Sequence, residues 1–231
     1  MENKTSCKDR IVALKYGQTV LSHKHIYPNG DPERYDSISL TVYLIEQDGR
    51  RILVDAGCDT MPGFPLSHFV SPCEILARYG LTPQEITDVI ITHAHHDHID
   101  AIRHFTNATV YVQEKEYERG KQYLPEDARL HIFDQSCSVT DDVQVFCIGG
   151  HSAGSCIVRY TLGEHVYVIC GDECYSPNNL LYKIPTGASK NREASKAFIE
   201  EYSKPCYIPL LCHDPRILPD TNGYVVLEEL R

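Results

Sequence analysis

Between Val89 and Asp100 the chain reads VIITHAHHDHID, with four histidines and two aspartates in the eight residues behind a β-branched apolar run. Imidazole and carboxylate are metal donors, so this density points first to a bound cation. His93 and His95 are one residue apart at the end of an extended segment, so their side chains leave the same face and can converge on one ion. Asp97 and His98 follow where the chain turns from strand to helix, which aims them at a neighbouring position and makes two ions feasible. Zinc suits this donor mixture best, while iron, manganese and cobalt accept the same ligands. The competing explanation is a solvated histidine-rich loop that collects metal adventitiously. Three distant residues weigh against it: His151 after VQVFCI and a glycine pair, Asp172 after HVYVIC, and His213 after CYIPLLC. Each stands at the end of an apolar run, where a rigid scaffold can hold a ligand.

The elements that must position these residues follow from periodicity and turn chemistry. Residues 11–21 and 38–46 read as strands, the second joined through an Asp-Gly hairpin to RRILVDAG. The polar segment SHKHIYPNGDPERYD between them is a long loop of the kind that lines sites. SPCEILARYG has helical spacing and a terminal glycine, and Thr82, Pro83 and Glu85 form a capping-box arrangement ahead of the strand that leads to the histidines. A short helix over 99–105, strand ATVYVQ, a helix near EKEYERGKQY and strand RLHIF then alternate. VQVFCI, SCIVRYTL and HVYVIC predict an antiparallel meander, NREASKAFIEEYSK an amphipathic helix, and PCYIPLLC and GYVVLEEL closing strands. Strand runs at both ends of the chain with helices beside them predict an α/β protein of two sheets covered by helices.

The 231 residues are within reach of one large domain spanning 1–231, and 42% hydrophobic content is ordinary for a globular chain. Lys plus Arg total 22 against 32 Asp plus Glu, with no basic stripe, which disfavours nucleic acid as a partner. The opening MENKTSCKDR is polar, no apolar run reaches the length of a membrane span, and the ten cysteines lack any C-x-x-C pair. The expectation is a cytoplasmic protein with reduced thiols and a small-molecule substrate, its oligomeric state open; Cys170 and Cys174 form an isolated C-x-x-x-C spacing with better ligands elsewhere.

THAHHDH resembles the H-x-H-x-D-H motif of the metallo-β-lactamase superfamily, and IGGHSAGS, the GD before Glu173 and the late CH fit its remaining positions in order. The resemblance spans nearly the whole chain. It implies a four-layer αββα sandwich of two mixed β-sheets covered by helices. It also implies two divalent ions, one held by His93, His95 and His151, the other by Asp97, His98 and His213, with Asp172 shared. ILVDAG is similar to the first motif of that superfamily, which makes Asp55 a support for the ligand loop; as a plain sequence feature it equally suits an Asp capping a turn before Gly57. Two ions would bring a water toward ionisation at neutral pH and polarise a carbonyl or phosphoryl oxygen, and Asp97 would orient that water and shuttle its proton.

GHSAG satisfies G-x-S-x-G, but a nucleophile elbow must open a helix, whereas SCIVRYTL reads as a strand, so Ser152 is not expected to be a nucleophile. Within the superfamily, an aspartate at 172 rather than cysteine disfavours the di-zinc β-lactamases, and histidine at 95 rather than glutamate disfavours the flavodiiron type. Thioester hydrolysis of the glyoxalase II kind, phosphodiester or sulfate ester cleavage, and lactone opening remain, beside a non-catalytic metal sensor. Tyr175, three residues after Asp172, resembles the N-acyl homoserine lactonases, in which a tyrosine at that spacing contacts the substrate's ring carbonyl; this favours a lactonase of the quorum-quenching kind. DHIDAIRHF departs from the D-H-A-G-G of that family, so the pocket wall after His98 differs.

Overall fold

The computed structural model describes residues 9–227. In β1 (Arg10–Ser22) the side chains alternate, Ile11 and Ala13 to one face, Val12, Leu14 and Tyr16 to the other, and all five are buried. A strand covered on both faces favours apolar residues at successive positions, hence the run Ile11–Leu14, while the buried Lys15 that follows donates to the Leu218 carbonyl at 2.6 Å. After a one-turn helix, α1 (His23–Ile26), β2 (Tyr35–Gln47) pairs antiparallel with β1. The strands take only Ser22, Tyr35 and Asp36 from the segment expected to be loop, and the one-turn helix lies within it. Asp48 and Gly49, both at positive φ (49° and 78°), close the expected two-residue hairpin to β3 (Arg50–Val54).

Helix α2 (Pro72–Tyr79) starts on Ser71, whose side chain accepts the Glu74 amide, and stops at Gly80 in the left-handed conformation. The capping box of Thr82 and Glu85 is present, around a single 3-10 turn ahead of β4 (Asp88–Ile91). The short helix expected over 99–105 begins earlier, as α3 (His96–Ile99), and continues as a 3-10 turn over Asp100–His104. Then come β5 (Thr109–Gln113), α4 (Glu114–Gly120) and β6 (Arg129–Phe133), so that β3, β4, β5 and β6 lie parallel.

The second sheet carries the predicted meander: β8 (Val143–Cys147), β9 (Cys156–Leu162) and β10 (His165–Ile169), preceded by an unforeseen short edge strand, β7 (Ser136–Ser138). An unforeseen helix α5 (Pro177–Leu181) and the expected α6 (Arg192–Tyr202) lead to β11 (Tyr207–Leu210), which joins this sheet parallel to β10. β12 (Gly223–Val226) crosses back to pair with β1, and the end of the predicted strand, from residue 228, lies outside the described residues. Seven strands form one sheet and five the other.

Three apolar clusters define four layers. Val42 and Leu44 of β2 join Ile75 and Leu76 of α2 and Ile99 on the outer face of the first sheet. Tyr43, Ile45 and Val54 meet Val145, Val158 and Ile169 between the sheets, and Ile157 and Val168 meet Phe198 and Ile199 of α6 on the far face. The sandwich is therefore helix, sheet, sheet, helix, as expected. No described helix is long and apolar enough to cross a membrane, and the nine described cysteines are all free, five of them buried.

The two sheets are stitched together along one edge. Ser39 and Thr41 of β2 donate backbone hydrogen bonds to His213 and Cys212, and Cys156 donates to Thr92. The strand ends that carry the donor residues are thereby brought to a common seam.

Candidate metal centre

All seven residues singled out as metal donors meet at this seam, in two groups whose donor atoms lie within 4.8 Å of one another: His93, His95, His151 and Asp172, and beside them Asp97, His98 and His213. In the first, His93 Nε2 and His151 Nε2 each lie 2.9 Å from His95 Nδ1. Asp172 stands between the groups, in a 3-10 turn that Gly171 opens at φ 50°. Its Oδ2 faces His151 Nε2 at 3.5 Å and His93 Nε2 at 3.6 Å, while its Oδ1 faces His213 Nε2 at 3.0 Å and His98 Nε2 at 3.1 Å. Asp97 Oδ2 lies 3.6 Å from His98 Nε2 and 3.9 Å from His213 Nε2. One carboxylate thus presents a different oxygen to each histidine cluster.

The opposite ring nitrogens fix which lone pairs face inward. His98 Nδ1 bonds Asp55 Oδ2 at 2.7 Å and His213 Nδ1 bonds the Ser39 carbonyl at 2.8 Å, so in each neutral ring Nε2 is left as an acceptor. With both rings neutral, these acceptors would face carboxylate oxygens with no proton between them, His213 Nε2 at 3.0 Å and His98 Nε2 at 3.1 Å from Asp172 Oδ1. Burial opposes charge on His98, yet Asp172, Asp55 and Asp97 together raise it well above its ordinary value. The carboxylates demand positive charge at this spot, and the donor set fits divalent cations. Burial pushes His93 far down and His151 down to about 4, which keeps these rings neutral and available as donors at neutral pH.

Asp55 does more than cap a turn. Held at φ 62°, it accepts the Thr92 amide and hydroxyl at 2.8 and 2.9 Å besides the bond to His98, so it ties the start of the histidine loop to α3. Thr92 Oγ1 in turn lies 3.1 Å from His93 Nδ1. Two buried glutamates, which the sequence reading missed, hold the loops. Glu116 of α4 accepts from the Ala94 amide, the Ser152 hydroxyl and the Gly154 amide at 2.9, 2.6 and 2.9 Å, joining the His93–His95 loop to the His151 loop. Ser152 is therefore a structural donor. Glu173 accepts the Gly150 and His151 amides, both at 3.0 Å, and the Ser155 hydroxyl. A Cβ on Gly150 would collide with the Glu173 carboxylate and Ser195, and one on Gly120 would meet Ala94 Cβ at 2.8 Å, so both glycines permit the close approach.

The donors open into a cavity of about 630 Å³ whose apolar wall includes Leu21, Ile38, Met61 and Phe64. His25 from the anticipated 22–36 segment lines it, whereas the Met61–Phe64 segment was not anticipated. Tyr175 is on the same wall, only 7% exposed, stacked on His213 with ring centroids 5.3 Å apart. Its hydroxyl donates to Asp172 Oδ2 at 2.7 Å, because a buried phenol needs an acceptor and the carboxylate is within reach. Burial and the charge of Asp172 raise this phenol well above its ordinary value, so it remains a donor.

Residues 39–201 match the family model described as the metallo-beta-lactamase superfamily. The chain is 27% identical to an N-acyl homoserine lactonase of Bacillus thuringiensis over 171 residues, covering 63% of this chain and 67% of that one. It is 26% identical to a hydroxyacylglutathione hydrolase of Actinobacillus pleuropneumoniae over 139 residues, 58% of this chain and 50% of that one. In structure it is similar to an N-acyl homoserine lactone hydrolase solved with the product N-hexanoyl-L-homoserine at its catalytic metal center: the TM-score is 0.80 at 22% identity, covering 94% of this chain and 99% of that one. With the family model matched over most of its length and both sheets in place, this chain belongs to the metallo-beta-lactamase superfamily.

Proposed function

We propose that the chain is a dinuclear metal-dependent hydrolase that opens the lactone ring of N-acyl homoserine lactones. The observation that carries this reading is Asp172, with Oδ1 toward His98 and His213, Oδ2 toward His93 and His151, and the Tyr175 hydroxyl on that second oxygen at the cavity wall. In this reading His93, His95 and His151 hold one ion, Asp97, His98 and His213 the other, and Asp172 both. Bound divalent cations, zinc foremost, supply Lewis acidity, making water more acidic and drawing charge from a carbonyl oxygen.

The chain's own groups do the rest. Asp97 takes a proton from the attacking water, whose oxygen bonds to the lactone carbonyl carbon. The ring C–O bond breaks, Asp97 returns the proton to the departing ring oxygen, and the ring-opened acid releases one proton near neutrality. Tyr175 turns its hydroxyl toward the carbonyl oxygen as that oxygen gains charge. The apolar wall of Leu21, Ile38, Met61 and Phe64 receives the acyl chain.

Zinc-loaded protein in a pH-indicator assay tests this, with N-acyl homoserine lactones run beside thioester, phosphodiester and β-lactam substrates. Proton release with lactones at a rate well above the other classes is expected. Inert lactones beside rapid turnover of a thioester or phosphodiester would replace this reading with another hydrolase of the same fold.

A further inference from the structure

The chain is acidic, with 32 Asp plus Glu against 22 Lys plus Arg, but the mouth of its cavity is not. The acidic residues lining it are Asp97 and Asp172, both in the candidate donor set, and the remaining fixed charges there are Arg119 and Lys190. Several cations away from the cavity are neutralised locally: Arg50 pairs with Asp88, Arg51 with Glu85, Arg103 with Asp59 and Arg216 with Asp214. Arg119 and Lys190 make no such ion pair among the described residues.

Both are carried by backbone tied to the donor loops. Arg119 belongs to α4, the helix whose Glu116 grips Ala94, and its charge acts on His95. The Lys190 amide donates to the Gly150 carbonyl at 2.8 Å, next to His151, and the Ala188 amide donates to the His25 carbonyl at 3.0 Å. Burial, then Lys24 and Lys190, lower His25, which leaves it a neutral hydrogen-bond donor beside the ammonium. Two cations without ion pairs on the wall of one reaction cavity, each on backbone tied to the donor loops, bias that cavity toward an anion.

We infer that the substrate carries an anionic group, a carboxylate or a phosphate, remote from the scissile carbonyl, and that Arg119 and Lys190 receive it. This rests on the ester-hydrolase reading and narrows it: an acyl chain ending in an anion is preferred to the neutral chain of equal length. Arginine supplies a planar fork for two oxygens and lysine a point charge, so both anions fit the pair.

The test uses zinc-loaded protein and two matched substrate trios, one of homoserine lactones and one of 4-nitrophenyl esters, with acyl chains ending in methyl, carboxylate or phosphonate. A charged-to-neutral ratio of kcat/KM of about 10 or more is expected, falling toward one in R119Q/K190Q and below one in R119E/K190E, and shrinking in high salt. The carboxylate and phosphonate arms tell the two anions apart. A ratio at or below one in the unaltered protein, or an unchanged ratio in the variants, overturns the inference. If lactones are inert while the aryl esters keep the ratio, the anion receptor stands and the lactonase reading fails. If nothing turns over, calorimetric binding of glutarate decides: at least about fivefold weaker binding to zinc-loaded R119Q/K190Q supports the receptor, and equal affinities remove it.

Discussion

Replacing Glu116 by glutamine should loosen the centre without touching any donor. The side chain is 1% exposed, and each of its oxygens accepts a backbone amide, Ala94 on Oε2 and Gly154 on Oε1. Glutamine keeps the volume but exchanges one oxygen for an NH₂, so in either orientation a donor is set against a backbone N–H. One buried N–H without an acceptor costs about 1–3 kcal/mol, which for a chain of this size lowers Tm by roughly 2–12 °C. Ala94 sits between His93 and His95, so the same slack displaces two donors. Changes to groups that orient metal ligands typically weaken binding about 10–100-fold. Differential scanning calorimetry and zinc competition against a chromogenic chelator read the two effects. Glu118→Gln, on the exposed face of the same helix, is the control and should move Tm by no more than about 1–2 °C. Unchanged Tm and zinc affinity in Glu116→Gln would show that the two donor loops hold themselves and that the bridge through α4 is incidental.

Asp172→Asn should drop metal content below two ions per chain by elemental analysis and abolish turnover, because the donor facing both histidine clusters loses its charge. Tyr175→Phe should keep both ions while lowering kcat/KM for lactones about tenfold, with Tyr182→Phe, at a position 64% exposed, unchanged; equal kinetics for Tyr175→Phe would reduce that tyrosine to packing. In chelator-treated protein, burial holds His151 at about 4 against an ordinary 6.5, so the unfolded chain takes up the proton first as pH falls. The stability this ring contributes is complete above pH 6.5 and is lost on the way down to about pH 4, about 3 kcal/mol in all; urea unfolding at pH 7 and pH 4 should show a smaller drop in His151→Gln.

The local parts of the centre were legible in the chain because their physics is local. A β-branched run ending at Thr92 makes a buried strand, alternation sends His93 and His95 the same way, and a turn follows. The Asp-Gly hairpin and the Ser71 and Gly80 helix boundaries are likewise decided by neighbouring residues. His151, Asp172 and His213 could be nominated because each ends an apolar run. Asp55 was ambiguous: the ILVDAG stretch predicts a turn, but only the packing of α3 against it puts His98 within 2.7 Å.

What the tertiary structure alone decided is everything that depends on the two sheets meeting. Asp172 and His98 are far apart in sequence, and no short-range propensity says that one oxygen of Asp172 faces His98 and the other His151. Glu116 and Glu173 escaped notice for a related reason: a glutamate in EKEYERG or GDECY looks like solvated surface, and it becomes a buried acceptor only once the Ala94 and Gly154 amides, or those of Gly150 and His151, are packed against it. The placement of β11 beside β10 and β12 beside β1 was hidden too, since an apolar run declares itself a strand without naming its partner. The sequence by itself thus determined which residues can ligate and which segments are strands, because donor chemistry and periodicity are properties of the chain. The division of the donors into two groups, the carboxylate between them and the cationic rim of the cavity were decided by packing, because each is a distance between residues that the chain brings together only when both sheets close on one core.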